Sequence, residues 1–199
     1  MADGTHPMIG VVDYGAGNLR SVTNALRRLE LPFTTCEQAG ALQSCNRIIL
    51  PGVGHFGAAA RQLQKTGMAT ELVRLADEGR PIIGICLGMQ LLFESSDEDL
   101  AVPGLALMRG GSRRLDGETV PHMGWNTVRW GDDPTPHYVY FAHGYEVRSD
   151  DAALIAATAP YEGRPMVAAV QRGAILGMQF HPEKSGDYGL DLIRRFAVC

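Results

Sequence analysis

Residues 81–93 constrain the possible folds of this chain more than any other stretch. The run Ile82–Ile85 is apolar and largely β-branched, and Pro81 precedes it, which predicts a short buried strand. The run Met89–Glu94 favours a helix. Between the two lies Cys86, with one glycine two positions before it and another two positions after it. The chain must therefore turn sharply from strand to helix at this cysteine, as chains do in α/β folds.

The spacing around Cys86 is that of a nucleophile elbow, with cysteine in the place that serine takes in many hydrolases. A nucleophile on such a turn sits in a strained backbone conformation, and the small residues Gly84 and Gly88 relieve the crowding around it. The N-terminus of the following helix would favour the thiolate, and the amide of Leu87 would help to stabilise an oxyanion. A cysteine at a strand end is also a common small core residue, so the elbow alone leaves both interpretations open.

The segment Gln179–Glu183 near the C-terminus favours the catalytic interpretation. A cysteine nucleophile needs a base, and the base needs an acceptor that orients it. His181 and Glu183 are two residues apart, so on an extended segment both side chains point the same way. We therefore predict that Glu183 holds the imidazole of His181 toward Cys86. The alternative is that His181 and Glu183 form an ordinary surface pair.

Length and composition limit the classes of protein to which the chain can belong. With 199 residues, of which 45% are apolar and 20% charged, it is expected to form one globular domain over residues 1–199, with residues 1–7 as a loose leader. The formal net charge of -4 gives no reason to expect a nucleic-acid partner or an acidic membrane surface. No run is long enough to span a bilayer, and the N-terminus lacks the basic and apolar regions of a secretory signal.

The cysteines and histidines show no pattern typical of a metal site or a disulfide framework. The four cysteines contain no Cys-x-x-Cys pair, and the six histidines show no ligand spacing. We therefore expect no metal and no organic cofactor. A cytoplasmic chain with reduced thiols is the simplest interpretation.

The order of the remaining segments predicts an α/β fold. Met8–Tyr14 is expected to be a strand and Leu19–Leu29 a helix, because apolar residues recur at helical spacing in the second segment. The glycines at positions 15 and 17 between them do not form a dinucleotide-binding loop, since Arg20 replaces the third glycine of that fingerprint. Three later runs predict strands joined by short turns, and these are Leu154–Thr158, Val167–Val170 and Ile175–Phe180. The expected architecture is a mostly parallel open sheet flanked by helices, with an antiparallel extension.

Three loops are expected at the ends of these elements. Pro51–Gly57 directly follows the predicted strand Arg47–Leu50, so its backbone amides are expected to form an oxyanion loop beside Cys86. The alternative is an ordinary loop into the next helix. Pro121–Asn126 combines an aromatic side chain with polar residues beside a glycine, which predicts a loop with a recognition surface. The acidic segment Glu94–Asp99 predicts a solvated loop.

Taken together, these motifs make the chain similar to the class I glutamine amidotransferases, which use a Cys-His-Glu triad. The similarity rests on Gly84–Gly88, Pro51–Gly54 and Phe180–Glu183, and it covers nearly the whole length of the chain. Two further segments, Asp13–Asn18 and Pro121–Asn126, resemble those of one branch of the family, the glutaminase subunits of imidazole glycerol phosphate synthases. The resemblance implies a flavodoxin-like α/β fold.

The resemblance also implies a role for each matching residue. Cys86 would attack the side-chain amide of L-glutamine, with His181 as the base and then the acid, and with Glu183 as the residue that orients His181. Backbone groups of the loop and the elbow would form the oxyanion hole, and residues around them would hold the substrate. The implied oxyanion residues are Gly52, Val53 and Leu87, and the implied substrate-binding residues are Gln90, His143, Gly144 and Tyr145.

A partner is implied as well. In this branch of the family, ammonia passes to a cyclase subunit with a (β/α)8 barrel, in a heterodimer of histidine biosynthesis. The products are imidazole glycerol phosphate and an aminoimidazole carboxamide ribonucleotide. The glutaminase is nearly idle until the cyclase binds its ligand. Asn18, Trp125 and Tyr140 are the positions that we expect at the interface.

Two segments depart from the family pattern. His55 stands where a small residue is more common, and it is expected to be a solvent-facing side chain without a role; the alternative is that it alters the flip of the oxyanion loop. Ala142–Tyr145 differs from the common Val-His-Ser-Tyr sequence. Neither departure touches the predicted triad.

Three alternatives to this function remain open from the sequence. The chain could be the glutaminase subunit of another triad amidotransferase, a non-catalytic regulatory relative, or a cysteine peptidase or thiol hydrolase on a related sheet. The intact Cys86, His181 and Glu183 argue against the regulatory relative. The Phe180–Glu183 segment argues against a peptidase, since such enzymes lack it.

Overall fold

Parallel strand pairing forms the centre of the fold in this computed structural model, which describes residues 7–15, 18–131, 133 and 135–198. The strands of the described residues are β1 (Ile9–Val12), β2 (Phe33–Cys36), β3 (Arg47–Leu50), β4 (Ile82–Ile85), β5 (Phe93–Ser96), β6 (Met108–Arg114), β7 (His122–Trp130), β8 (His137–His143), β9 (Tyr145–Arg148), β10 (Ile155–Tyr161), β11 (Arg164–Arg172) and β12 (Ile175–Met178). One sheet has the order β2-β1-β3-β4-β12-β11-β10-β7-β8, and a second consists of β5, β6 and β9.

The half of the large sheet from β2 to β12 is parallel, and the half from β12 to β8 is antiparallel. This confirms the predicted parallel sheet with an antiparallel extension. All residues of β1 and β4 are buried, which explains their uninterrupted apolar sequences. Helices α1 (Leu19–Arg28) and α5 (Gly186–Val198) pack into the core on one face. Helices α2 (Phe56–Lys65) and α3 (Met68–Asp77) pack into the core on the other.

Strands replace nearly all of one predicted loop and half of another. Pro121–Asn126 lies almost wholly in β7, whose pairing with β8 sets Trp125 opposite Tyr140. Glu94–Asp99 begins in β5, where Ser96 is fully buried and its hydroxyl accepts a 2.7 Å hydrogen bond from that of Ser112. The loop structure was thus predicted wrongly for Pro121–Asn126 and for the first half of Glu94–Asp99, and for the same reason, whereas residues 97–99 lie outside the strand as predicted. A polar side chain is readily placed in a strand when a neighbouring strand supplies its partner.

The elbow joins β4 to the short helix α4 (Leu87–Leu91) through Cys86. Cys86 has φ of 55° and ψ of -110°, a sparsely populated combination for a residue other than glycine. A Cβ atom on Gly84 would lie 2.6 Å from the carbonyl oxygen of Gly88, and one on Gly88 would collide with the carbonyl oxygen of Leu50. Both glycines are therefore required by close packing of the elbow against its own helix and against β3.

Helix α4 is shorter than the sequence indicated. The prediction of a helix over Met89–Glu94 was wrong in its extent, because α4 ends at Leu91 and Phe93 already belongs to β5. There Phe93 pairs with Met108 of β6. Strand pairing thus overrides the helical preference of this segment.

The pairing of β12 with β4 brings the two predicted catalytic segments together. In this parallel register Met178 lies beside Ile85, and the N–H of Cys86 donates a 2.7 Å hydrogen bond to the carbonyl of Met178. Cys86 and His181 both follow these strands, so they lie at the same carboxyl edge of the sheet. β3 adjoins β4 on its other side, which places Pro51–Gly54 at that edge as well.

Parts of some predicted segments lie outside the described residues. These are residues 1–6 of the predicted leader, Ala16 and Gly17 of the glycine-rich turn, and Cys199. Within the described ranges, no helix has the length and apolar character needed to cross a membrane.

The packing of Gly88 gives a test of the elbow. We expect Gly88→Ala to lower the free energy of unfolding by about 3 kcal/mol, because the added methyl group would meet the rigid backbone of Leu50. Urea denaturation of both proteins measures the difference. Gly40→Ala is the matched control, since a Cβ at Gly40 meets open space, and it should change stability by less than about 0.5 kcal/mol. Equal stability of the Gly88→Ala protein and the wild type would contradict this account.

Candidate active site

Cys86, His181 and Glu183 come together at the carboxyl edge of the sheet. His181 is buried and lies directly before the 3-10 turn Pro182–Lys184. Its Nδ1 atom is 2.9 Å from Oε1 of Glu183, whose side chain is almost fully buried. The two residues thus meet through a turn of helix, whereas an extended segment was expected. Cys86 also acts on this imidazole, since it is among the groups that raise the pKa of His181.

The environment of His181 favours its protonated form. Burial lowers the pKa of His181, but hydrogen bonds and charge interactions with Cys86 and Glu183 outweigh burial and raise it to about 9. Oε2 of Glu183 is buried and has no hydrogen-bond partner among the described residues. The carboxylate therefore depends on His181 for its compensation, which further favours an imidazolium next to it. An imidazolium beside Cys86 is the arrangement that stabilises a reactive thiolate.

The sulfur of Cys86 has two further polar neighbours. Sγ lies 3.8 Å from the carbonyl oxygen of Ala142 in β8, and Nε2 of Gln179 lies 3.7 Å from Sγ. Gln179 is fully buried and was not among the predicted site residues. Its position two residues before His181 was a usable signal, because alternate residues of an extended segment share a face.

The predicted oxyanion residues meet in a closed arrangement. The amide of Leu87 donates a 3.3 Å hydrogen bond to the carbonyl oxygen of Gly52, so the loop presents an acceptor where an oxyanion would need donors. A Cβ on Gly52 would lie 2.9 Å from Cβ of Leu87 and 2.7 Å from the hydroxyl of Tyr14. Val53 follows and is partly exposed. Turning the peptide between Gly52 and Val53 would replace the carbonyl by the N–H of Val53.

Two side chains hold the oxyanion loop at its ends. The hydroxyl of Tyr14 donates a 3.0 Å hydrogen bond to the carbonyl of Pro51, and burial, together with the nearby Cys86 and Asp13, raises the pKa of Tyr14. His55 is exposed, as expected, but its Nδ1 accepts a 3.1 Å hydrogen bond from the N–H of Gly57. The expectation that His55 has no role was therefore wrong, because it caps the N-terminus of α2.

The residues predicted to hold the substrate form a connected group beside the sulfur. Gln90 is buried, and its Nε2 donates to the carbonyl of Tyr145 at 3.2 Å and to Oε1 of Gln179 at 3.0 Å. Nδ1 of His143 lies 2.8 Å from the same carbonyl of Tyr145, which fills both of its acceptor positions. The carbonyl of Gly144 accepts from the amide of Leu115 at 2.9 Å. Substrate contacts of these four residues stay a prediction, with Oε1 of Gln90 as the amide atom left for a ligand.

A chain of side chains continues from His143 into β7. Burial lowers the pKa of His143 to about 4, so the ring is neutral. Its Nε2 lies 3.1 Å from Nδ1 of His122, and Nε2 of His122 lies 3.2 Å from Nδ2 of Asn126. The same Nδ2 donates to the carbonyl of Pro160 at 2.7 Å. If both imidazole rings carry their proton on Nδ1, every donor in this hydrogen-bonded series of side chains faces an acceptor.

The other face of the β7–β8 ribbon is exposed and aromatic. Trp125 and Tyr140, two of the predicted interface residues, pack edge to face with ring centroids 6.1 Å apart. Met123 and Tyr138 lie on the same face and were not predicted. The side chains of Met123, Trp125 and Tyr138 are 62%, 58% and 66% exposed, which is unusual for large apolar groups on adjacent strands. We call Met123, Trp125, Tyr138 and Tyr140 the exposed ribbon face.

Asn18 lies apart from this ribbon in the sequence. It precedes α1, and its Oδ1 accepts a 2.8 Å hydrogen bond from the hydroxyl of Ser21. Helix α1 contacts the turn Pro182–Lys184, whose Lys184 ammonium lies 5.7 Å from the ring centroid of Tyr140. The turn Pro182–Lys184 therefore contacts both the helix that follows Asn18 and the ring of Tyr140.

No group of three or more cysteine, histidine or carboxylate side chains is arranged to hold a metal ion within the part of the chain that the structure describes. The sulfur atoms of Cys36 and Cys45 lie 3.9 Å apart in the core, and both cysteines are free thiols.

The electrostatics of His181 give a test. We expect nuclear magnetic resonance titration of labelled histidine to give a pKa of about 9 for His181. Glu183→Gln removes the charge that stabilises the imidazolium, so the pKa of His181 should fall toward its ordinary value. Glu37→Gln, at an exposed position, serves as the matched control and should leave the titration unchanged. An unaltered pKa in the Glu183→Gln protein would contradict the pairing.

Comparison with known proteins gives the family. The sequence profile of "Glutamine amidotransferase class-I" matches residues 10–198. The chain is 45% identical to "Imidazole glycerol phosphate synthase subunit HisH" of Halalkalibacterium halodurans, over 96% of this chain and 95% of the relative. It is 42% identical to "Imidazole glycerol phosphate synthase hisHF, chloroplastic" of Arabidopsis thaliana, where the match covers 95% of this chain and 34% of the plant protein.

Solved structures have the same fold. A crystal structure titled as a glutamine amidotransferase superposes with a TM-score of 0.79 at 20% identity, covering 94% of this chain and 96% of the other. The structure titled PurLQS from Thermotoga maritima gives 0.77 at 21% identity, covering 96% and 97%. These likenesses agree with the predicted class I amidotransferase fold. By its sequence and its fold, the chain belongs to the class I glutamine amidotransferases and, within them, to the family of the HisH subunits of imidazole glycerol phosphate synthase.

Proposed function

We propose that this chain is a glutaminase that hydrolyses L-glutamine to glutamate and ammonia, and that a cyclase partner uses the ammonia to make imidazole glycerol phosphate and an aminoimidazole carboxamide ribonucleotide in histidine biosynthesis. The observation that carries the proposal is the arrangement of Cys86, His181 and Glu183 at the ends of adjacent parallel strands. Membership of the HisH family supports the substrate and the pathway.

The first half of the reaction forms a thioester. The thiolate of Cys86 attacks the side-chain carbonyl carbon of glutamine, and the carbonyl oxygen becomes an oxyanion. As the tetrahedral intermediate collapses, the imidazolium of His181 gives its proton to the nitrogen that leaves as ammonia. The sulfur keeps the glutamyl group as a thioester. The raised pKa of His181 suits this role, because the ring holds the proton until the leaving group needs it.

The second half returns the enzyme to its starting state. Neutral His181 takes a proton from a water molecule, and the oxygen of that water attacks the thioester carbon. The carbon–sulfur bond breaks, glutamate leaves, and Cys86 is again a thiolate beside an imidazolium. Glu183 keeps its charge throughout and holds Nδ1 of His181 in one orientation.

The closed oxyanion loop supports a requirement for the partner. With the carbonyl of Gly52 bound to the amide of Leu87, an oxyanion at this position would meet another oxygen. Catalysis needs the loop to turn so that the amides of Val53 and Leu87 both face the oxyanion. A partner that favours the turned loop therefore raises the turnover number of glutamine hydrolysis.

The exposed ribbon face is the proposed docking surface for the partner. β8 carries Tyr138 and Tyr140 on that face, and its backbone reaches the site, since the carbonyl of Tyr140 accepts a 2.9 Å hydrogen bond from the amide of His181. We assign the partner a (β/α)8 barrel and the complex a heterodimer in the cytoplasm. The relative named hisHF supports a paired second activity, because this chain corresponds to about a third of it.

Glutamate release from glutamine tests the whole proposal. The purified chain is assayed alone, and then with a barrel cyclase and its nucleotide ligand. Slow release alone and a large rise with the liganded partner are expected. Fast release by the chain alone would point to an independent glutaminase, and activation by the acceptor subunit of another pathway would point to a different amidotransferase.

The nucleophile is tested by substitution. We expect Cys86→Ala to abolish glutamine hydrolysis while binding of the partner survives, because the sulfur forms the bond and the docking face is elsewhere. Glu183→Gln should slow turnover less, since Glu183 only orients the base. Both are measured by glutamate release and by titration calorimetry with the cyclase. Retained turnover in Cys86→Ala would rule out the nucleophile, and equal losses would rule out the division of roles.

The docking face is tested by removing its largest side chain. We expect Trp125→Ala to weaken binding of the cyclase by about 2 kcal/mol, because buried tryptophans dominate interface energies. Leu100→Ala is the matched control, as Leu100 is 81% exposed and lies outside the ribbon. It should leave the dissociation constant unchanged. Equal effects of the two substitutions would move the interface away from the exposed ribbon face.

A further inference from the structure

We propose that Gln179 is a positioning residue, whose Nε2 donates a hydrogen bond to the sulfur of Cys86 and thereby favours the thiolate, and whose orientation is fixed by Gln90 and the carbonyl of Tyr145. The inference goes beyond the proposed mechanism, which uses only the triad and the oxyanion loop. It rests on the proposed function only in taking Cys86 as the nucleophile.

The chemistry of the neighbours determines which amide atom faces the sulfur. The carbonyl of Tyr145 can only accept, so the atom of Gln90 that lies 3.2 Å from it must be the donor Nε2. The second proton of Nε2 points to Gln179 at 3.0 Å, so the atom of Gln179 that faces it must be the acceptor Oε1. Nε2 of Gln179 is thereby left on the side of Cys86, 3.7 Å from Sγ.

Two hydrogen-bonded histidines, His143 and His122, help to fix this orientation through the carbonyl of Tyr145. Neutral His143 donates from Nδ1 to the carbonyl of Tyr145 and accepts at Nε2 from Nδ1 of His122. Both lone pairs of the Tyr145 carbonyl are then occupied, which keeps that peptide in place. The polar groups from the half-buried His122 to the buried Gln179 form one network with a single direction of donation. Reversing Gln179 would set two acceptors or two donors against each other at both of its ends.

A donor at this position acts on the charged form of the sulfur. A thiolate accepts a hydrogen bond more strongly than a thiol does, so the donor stabilises the form that attacks glutamine. The titratable groups that interact with the sulfur are His181 from the turn after β12 and Tyr14 from the loop after β1, with Glu183 behind His181. Gln179 adds a neutral donor to this set, 3.7 Å from the sulfur.

Alkylation of Cys86 measures the thiolate without substrate or partner. The rate of reaction with iodoacetamide is followed against pH, the modified cysteine is identified by mass spectrometry, and Cys86→Ala gives the blank. Gln179→Met keeps the size of the side chain and removes the donor. We expect the midpoint of the profile to move up by about one pH unit, so that the rate at pH values below both midpoints falls about tenfold.

The controls separate positioning from general damage. Gln171→Met changes an exposed glutamine of β11 and should leave the profile unchanged. If Gln179→Met does not fold, Gln179→Glu keeps an acceptor toward Gln90, lacks the donor, and should move the midpoint in the same direction. An unchanged midpoint in either folded variant would overturn the proposal.

A double-mutant cycle tests the fixed orientation. If Gln90 acts on the sulfur through Gln179, Gln90→Met should also raise the midpoint, and the double variant should show no greater change than Gln179→Met alone. Additive changes would overturn the connection. Because alkylation needs no glutamine, these results stay distinct from the glutaminase assay, in which retained turnover by Cys86→Ala would be the failure of the proposed function.

Discussion

The parallel pairing of β4 with β12 is the constraint on which the site depends. The strands lie 90 residues apart in the sequence, yet their register sets Met178 beside Ile85 and so places Cys86 next to the segment that carries Gln179 and His181. A shift of one residue would turn alternate side chains to the opposite face and separate the sulfur from the imidazole. The register is held by buried apolar residues on both faces of the sheet. The core therefore fixes the catalytic geometry before any polar contact contributes.

β8 connects the site to the exposed surface. The carbonyl of Tyr140 in this strand accepts a hydrogen bond from the amide of His181, and the carbonyl of Ala142 lies beside the sulfur of Cys86. The side chains of Tyr138 and Tyr140 lie on the exposed ribbon face. The amide of Tyr140 also donates to the hydroxyl of Ser185, which in turn donates to the carbonyl of His181. Both of the proposed reacting residues therefore contact this strand directly, His181 through its amide at 2.9 Å and Cys86 through its sulfur at 3.8 Å.

Strands that depend on the local sequence pattern were predicted correctly, and strands that depend on pairing with distant segments were missed. The strands Arg47–Leu50 and Ile82–Ile85 were predicted to the residue, because short apolar runs bounded by turns have few other solutions. The mistakes at Pro121–Asn126 and Glu94–Asp99 arose where cross-strand partners, invisible in one sequence, accommodate polar residues.

The same distinction applies to the residues of the site. Spacing indicated Cys86, His181 and Glu183, and the structure brings them together. The spacing of Gln179 from His181 was a usable signal that was not used, whereas the contacts of Gln179 with Gln90 and of His143 with His122 join elements distant in the sequence, so spacing could not reveal them. The 3.3 Å hydrogen bond from the amide of Leu87 to the carbonyl of Gly52, which keeps the oxyanion loop closed, also affects how much glutamine nitrogen would be wasted. A neutral backbone hydrogen bond contributes about 0.5–1.5 kcal/mol, so this bond alone would lower the population of the open loop only about two- to tenfold. A subunit held by this bond alone would lose ammonia to futile hydrolysis whenever its partner is absent. Tighter control needs the anchor between Tyr14 and Pro51 to distinguish the two loop positions as well.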